Sequence, residues 1–170
     1  CDWSSDVCSS DLEAELAFIV GKKGRNLTKE NALDCVAGYS IFNDGSLRDY
    51  QRKTSQWTIG KNFDQTGAFG PWLVTPDELP SGALGLQIQS RLNGNLMQNA
   101  NPKDFLWGVA ETIQLITECM TWEPGDVVIT GTPAGVGYAR TPPVFMKPGD
   151  VCEIEIEGIG VLQNSIKDQS

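Results

Sequence analysis

Apolar and polar positions alternate over residues 13–20. Ala14, Leu16, Phe18 and Val20 fall on one face and Glu13, Glu15, Ala17 and Ile19 on the other, which predicts a strand whose second face carries two acids. Residues 21–25 form a turn, and Thr28 is placed to cap a short helix running to about Cys35. The apolar, partly β-branched run 36–42 predicts a second strand ending at Asn43-Asp44-Gly45. Ser46-Leu47-Arg48-Asp49 has the Ser-x-x-Asp form of a helix start, which sets Arg48 and Gln51 on one side of a short turn. Residues 52–85 are broken by Gly and Pro and read as a long irregular stretch anchored by Trp57, Phe63, Phe69 and Trp72. Asn93-Gly94 between apolar runs 86–92 and 96 onward predicts a hairpin. Asn101 and Pro102 open a helix with Phe105, Val109, Ile113, Ile116 and Met120 at helical spacing, ending before Pro124-Gly125. Runs 127–130, 151–156 and 161–166 read as strands, the last two joined at Gly158-Ile159-Gly160. The sum is one β-rich α+β domain with one substantial helix.

Composition narrows the chemistry. A chain of 170 residues is long enough for one ordinary core and short for two. No apolar run approaches the roughly 18 residues needed to cross a bilayer, so no membrane span is expected. With 13 basic against 22 acidic residues the net charge is −9, which repels a phosphate backbone and argues against nucleic acid as a partner. The chain contains no His, which removes the commonest general base and the commonest transition-metal ligand. Cys35, Cys119 and Cys152 show no metal-binding spacing and read as reduced thiols, so the expected location is the cytoplasm.

Residues 1–12, CDWSSDVCSSDL, have no periodicity, hold two of the five cysteines, and read as the translation of a sequencing-library adapter. They are expected to be foreign to the domain, which then spans 13–166 with 167–170 as a tail.

On a strand, residues two apart point the same way, so Glu13 and Glu15 can converge on one ion, and Asp44 sits at a strand–turn junction that can pair beside them. Carboxylates completed by water suit a hard cation such as Mg²⁺, and the lack of His and paired Cys argues against zinc. Taken alone, Glu-x-Glu on a strand is most often a solvated face. Lys61 alone reads as a solvated lysine, Arg48 beside Asp49 as a surface ion pair, and the glycine-rich run 131–137 as a tight turn between strands.

The ordered set of motifs changes those odds. Glu-Ala-Glu-Leu-Ala at 13–17, Gly38-Tyr39, Asn-Asp-Gly-Ser-Leu-Arg-Asp-Tyr-Gln at 43–51, Trp-Thr-Ile-Gly-Lys-Asn-Phe-Asp at 57–64, Gly70-Pro71-Trp72, Gly-Asp-Val-Val-Ile-Thr-Gly-Thr-Pro-Ala-Gly-Val-Gly at 125–137 and Pro148-Gly149-Asp150 resemble the fumarylacetoacetate hydrolase family. They occur in that family's order and cover essentially all of 13–166. The resemblance implies a mixed-sheet β-roll of the fumarylacetoacetase C-terminal type, usually a homodimer, with Mg²⁺ (Mn²⁺ or Ca²⁺ as substitutes) held by Glu13, Glu15 and Asp44. It also implies a substrate pocket lined by Arg48, Gln51, Lys61 and Thr132, with Lys61 and Thr132 acting on the reacting group. A divalent ion chelating a 2-oxo acid stabilises the enolate formed on cleavage, decarboxylation or tautomerisation. Lys61 adds positive charge to that oxyanion, and the Gly131-Thr132 turn can hold a substrate carboxylate.

Three readings follow. The first is a metal-dependent hydrolase of C–C bonds in acylpyruvate-like β-dicarbonyl acids. The second is a 2-oxo-diacid decarboxylase or enol–keto isomerase or hydratase of aromatic catabolism, and the third a catalytically silent module. The absence of a Glu at 145–148 favours the smaller bacterial-type members, of the 2-oxohepta-3-ene-1,7-dioate hydratase/isomerase kind. Family members place a proton-transferring His and Glu before the Glu-x-Glu strand. This polypeptide is therefore expected to hold metal weakly and to lack turnover.

Overall fold

The computed structural model describes residues 10–101, 103 and 105–167. Ten strands, β1 (Ser10–Asp11), β2 (Ala14–Val20), β3 (Val36–Asn43), β4 (Ser46–Leu47), β5 (Ala68–Val74), β6 (Ile88–Leu92), β7 (Asn95–Ala100), β8 (Val127–Ile129), β9 (Val151–Ile156) and β10 (Gly160–Ser165), accompany two α-helices, α1 (Arg48–Gln51) and α2 (Val109–Cys119). The strands build one four-stranded sheet in the order β5-β3-β2-β8, a second in the order β10-β9-β6-β7, and the short ribbon β1-β4. The expected β-rich α+β class holds. Where a mixed sheet was implied, every ladder among the described residues is antiparallel.

The core lies where Leu16, Phe18, Tyr39 and Ile41 of the first sheet meet Ile88, Ile154 and Ile156 of the second, with Ile113 of α2 also sealed from solvent. Phe18 packs on Trp122 with ring centroids 5.8 Å apart. Central strand β2 is buried at nearly every position. Its second face, read from alternation as half polar, is also withdrawn from solvent, with Glu15 3% and Ala17 0% exposed.

The hairpin forms at Asn93-Gly94, both with positive φ as a two-residue turn requires. Four local expectations are corrected. Thr28 caps nothing: its N–H donates to Asn31 Oδ1, and a 3₁₀ turn follows at Ala32–Cys35. Ser46 pairs with Asp11 in the β1-β4 ribbon, and α1 starts two residues later. The long helix begins at Val109 rather than near Pro102, because Gly108 breaks the chain there and the Glu111 carboxylate reaches back to accept the Gly108 N–H. Residues 68–74, read as loop, form strand β5 on the sheet edge, where Pro71 costs no ladder bond and Ser40 Oγ donates to the Gly70 or Trp72 carbonyl.

The aromatic anchors expected in 52–85 are also corrected. Trp57 and Trp72 are each 62% exposed and Phe69 48%, while Phe63 packs edge-on against Tyr50. The fold also continues past the boundary expected at Glu13: β1 pairs with β4, and Leu12 lies in the core. Residues 1–9 and 168–170 lie outside the described residues. No helix among the described residues is long and apolar enough to cross a membrane.

Phe18→Ala removes a fully buried ring between the sheets and should cost about 3–5 kcal/mol of stability, read as a lower urea midpoint at unchanged slope.

Candidate metal centre

The ladder between β2 and β3 ends at the pair Ala14–Asn43, and the next residues outward are Glu13 and Asp44. The Asp44 N–H donates to the Glu13 carbonyl at 2.9 Å, and the Glu13 N–H donates to Asn43 Oδ1 at 3.2 Å, so the two acids leave the sheet side by side. Glu15, two residues along β2, points the same way. Carboxylate oxygens of Glu13, Glu15 and Asp44 lie within 4.8 Å of one another, as the spacing predicted.

One oxygen of each carboxylate is engaged by the protein. Glu13 Oε1 accepts from Ser46 Oγ at 2.6 Å and faces Lys61 Nζ at 2.9 Å. Glu15 Oε2 accepts from the Gly131 N–H at 2.7 Å. Asp44 Oδ2 accepts from Lys61 Nζ at 2.6 Å, and the same ammonium reaches the Asp44 carbonyl at 3.0 Å. Among the described residues no hydrogen bond reaches the second oxygen of any of the three. Three fixed carboxylates, each held by an outer partner and each with a second oxygen to offer, could hold a hard divalent cation. Among the described residues only Lys61 forms ion pairs with them, so the trio carries two uncompensated negative charges when ionised, and a divalent ion would neutralise them.

The electrostatics agree. Burial pushes the Glu15 carboxyl up to about 7; the Gly131 N–H pulls it back, the Asp44 and Glu13 charges raise it further, and Lys61 opposes them. Burial works against the Lys61 ammonium, but its hydrogen bonds to Asp44 and Glu13 and their charges outweigh that and hold it above the ordinary lysine range. Lys61 is therefore a fixed cation at the edge of the site, not the solvated lysine its sequence context suggests.

Arg48 and Gln51 do share one side of a single helical turn, where Arg48 Nη1 donates to Gln51 Oε1 at 2.5 Å. Gln51 is buried, and its backbone packs against Gly60 so closely that a Cβ there would lie 2.7 Å from the Gln51 Cα. That contact sets the turn carrying Lys61 against α1.

Thr132 is tied to β2. Its hydroxyl donates to the Ala14 carbonyl at 3.0 Å and accepts from Gln98 Nε2 at 2.8 Å, while Gly131 directs its N–H to Glu15. The turn expected to cradle a substrate carboxylate uses these donors to hold the strand between Glu13 and Glu15.

Gln98 was not singled out by the sequence. It is 1% exposed with all four of its hydrogen-bonding positions used: Nε2 donates to Thr132 Oγ1 and the Pro133 carbonyl, and Oε1 accepts from the Ala14 N–H and Ser90 Oγ. Its strand holds three amides, Asn95, Gln98 and Asn99, so nothing in the sequence marks this one out. Asp11 and Tyr138 were missed as well. Asp11, 2% exposed, accepts the Gly137 N–H at 2.8 Å and the Tyr138 N–H at 3.0 Å; burial raises its carboxyl above the usual range and these N–H groups lower it.

Residues 3–167 match the family profile described as "Fumarylacetoacetate (FAA) hydrolase C-terminal". The chain belongs to the fumarylacetoacetate hydrolase family. It is 46% identical over 158 residues to "Oxaloacetate tautomerase fahd2, mitochondrial" of Xenopus laevis, covering 92% of this chain and 49% of that protein. It is 42% identical over 156 residues to "Oxaloacetate tautomerase YisK" of Bacillus subtilis, covering 92% and 52%. Among solved structures, a fumarylacetoacetate hydrolase from Exiguobacterium antarcticum superposes with a TM-score of 0.91 at 45% identity, covering 95% of this chain and 57% of that one. A 2-hydroxyhepta-2,4-diene-1,7-dioate isomerase from Mycobacterium marinum superposes with a TM-score of 0.85 at 34% identity, covering 95% and 60%. The chain thus spans about half the length of the curated relatives it matches.

Two outcomes test the centre. Because the Glu15 pKa rises from 4.5 to about 7 on folding, the folded chain binds the extra proton between those values. Metal-free stability should therefore fall as pH rises across that window and level off above it, while affinity for a divalent ion should rise across the same window, as calorimetric titrations at several pH values would show. Gln98→Leu should weaken metal binding by about 10–100-fold, read against its own denaturation curve to separate that loss from unfolding.

Proposed function

We propose that this chain is the metal-binding, enolate-stabilising part of an enol–keto tautomerase or isomerase acting on 2-oxo dicarboxylic acids, with Mg²⁺ as its ion. The carrying observation is the carboxylate trio with one free oxygen apiece beside an ammonium locked in its charged form. Glu13, Glu15 and Asp44 would hold the ion, which would supply Lewis-acid stabilisation to a developing enolate. Lys61 presents a fixed positive charge at the same place, where negative charge grows as a proton leaves carbon. Ser46 and Gly131 hold the Glu13 and Glu15 carboxylates, and Gln98 holds the backbone between them, so the site is organised before the substrate arrives.

Tautomerisation asks less of these residues than hydrolysis does. It moves one proton between carbon and oxygen of a stabilised enolate, whereas C–C hydrolysis also needs an activated water. The names of the Xenopus, Bacillus and Mycobacterium relatives point the same way. Hydrolysis of acylpyruvates passes through the same enolate and is the second reading, favoured by the similarity to the Exiguobacterium protein, which is named a hydrolase.

The test follows decay of the oxaloacetate enol and, in parallel, cleavage of an acylpyruvate. Enol decay should accelerate with Mg²⁺, fall to background in Asp44→Ala, and drop about 10²–10³-fold in Lys61→Met with metal affinity largely kept. Acylpyruvate cleavage without enol–keto exchange would replace the proposal with the hydrolase reading.

A further inference from the structure

We infer that Arg52, with Arg48 and Tyr138, forms a subsite for the distal carboxylate of a dicarboxylic substrate; the inference rests on the reading of the acid trio as a 2-oxo-acid site. Arg48, Arg52 and Lys53 lie on one helical turn and its exit, and each sits on an aromatic ring rather than on a carboxylate. The Arg48 guanidinium carbon is 3.6 Å from the Tyr138 ring centroid, that of Arg52 is 4.9 Å from the same centroid, and Lys53 Nζ is 3.4 Å from the Tyr50 centroid. Among the described residues no carboxylate lies within ion-pair distance of any of the three, although Lys23, Lys29 and Arg91 all find one in this acidic chain.

A ring holds a guanidinium in place through its face and leaves the in-plane N–H donors available, whereas a carboxylate would consume them. Two guanidiniums brought to one ring repel each other, and a shared anion relieves that repulsion. Arg48 adds a second sign of an unmet demand, since its Nε is buried with no hydrogen-bond partner.

The placement suits the far end of a substrate whose reacting end meets the acid trio. Arg48 follows Asp44 by four residues, through the short strand β4. Arg48 also bonds Gln51, which packs on Gly60, the neighbour of Lys61. Tyr138 is fixed by the bond from its N–H to Asp11, two residues before Glu13. The stack and the trio therefore hang from the same two segments, residues 11–15 and 44–52. Arg48 and Gln51 lie inward and mostly buried, while Arg52 is exposed at the rim. That is where a second carboxylate would be received.

Selectivity for a second carboxylate is the measurable consequence. The probes are 2-oxoglutarate and 2-oxopentanoate, five-carbon 2-oxo acids that differ only in the distal carboxylate, titrated calorimetrically with Mg²⁺ in excess. The chain should prefer the diacid by about tenfold or more, as expected for one charge-assisted contact. Arg52→Met, which keeps the stem and the fold at an exposed position, should bring the two affinities together by weakening only the diacid. Arg52→Lys and Tyr138→Phe should each keep part of the preference. A diacid preference that survives Arg52→Met overturns the subsite, as does equal binding of both acids by the unaltered chain. Binding of neither acid would overturn the 2-oxo-acid reading itself, and the subsite with it.

Discussion

Three carboxylates cannot share a hollow unless something opposes their mutual repulsion, and in this chain that constraint falls on Lys61. Its ammonium touches Glu13 and Asp44 at once and its carbon stem is largely withdrawn from water, so the pairs act through a medium less screening than bulk solvent. Glu15 makes no ion pair with this lysine; burial above all, and then the neighbouring Asp44 and Glu13 charges, push its carboxyl up to about 7. A site in this state holds its shape while retaining a demand for more positive charge.

The scaffold serves that state through bonds that cross between elements. Gln98 reaches from the second sheet to the β2 backbone between the two glutamates and to the turn at Thr132, so the hairpin β6-β7 and the glycine-rich turn are coupled to one spot on one strand. An amide that satisfies every donor and acceptor in a dry interior is costly to displace, because any shift leaves one of them unpaired. Thr132 joins the same network, its hydroxyl donating to the Ala14 carbonyl and accepting from Gln98.

Legibility from sequence divided along physical lines. The β2 alternation, the Asn93-Gly94 turn and strands β9 and β10 were readable because side-chain period and turn conformation are local properties. Edge strand β5 was not: Gly70 and Pro71 break its propensity, and its pairing is set by Ser40 and β3, thirty residues away in sequence. The start of α2 was misplaced for a related reason, since a proline marks a permissible helix start whereas the Glu111 side chain marks the actual one. Trp57, Phe69 and Trp72 looked like anchors because large aromatics usually bury, yet they stand on the outside.

The sequence by itself determined which chemistry was available. It offered hard oxygen ligands and no imidazole, two glutamates at strand spacing, and a set of motifs whose order pointed to a family. Tertiary structure decided everything that depends on orientation: which oxygen of each acid faces the protein, that Lys61 is a fixed cation, that Thr132 braces a strand, and that Arg52 shares a ring with Arg48. The reason is that spacing along a chain fixes the face a residue occupies, while the partner it meets there is supplied by segments tens of residues distant, and only their packing brings it within hydrogen-bonding range.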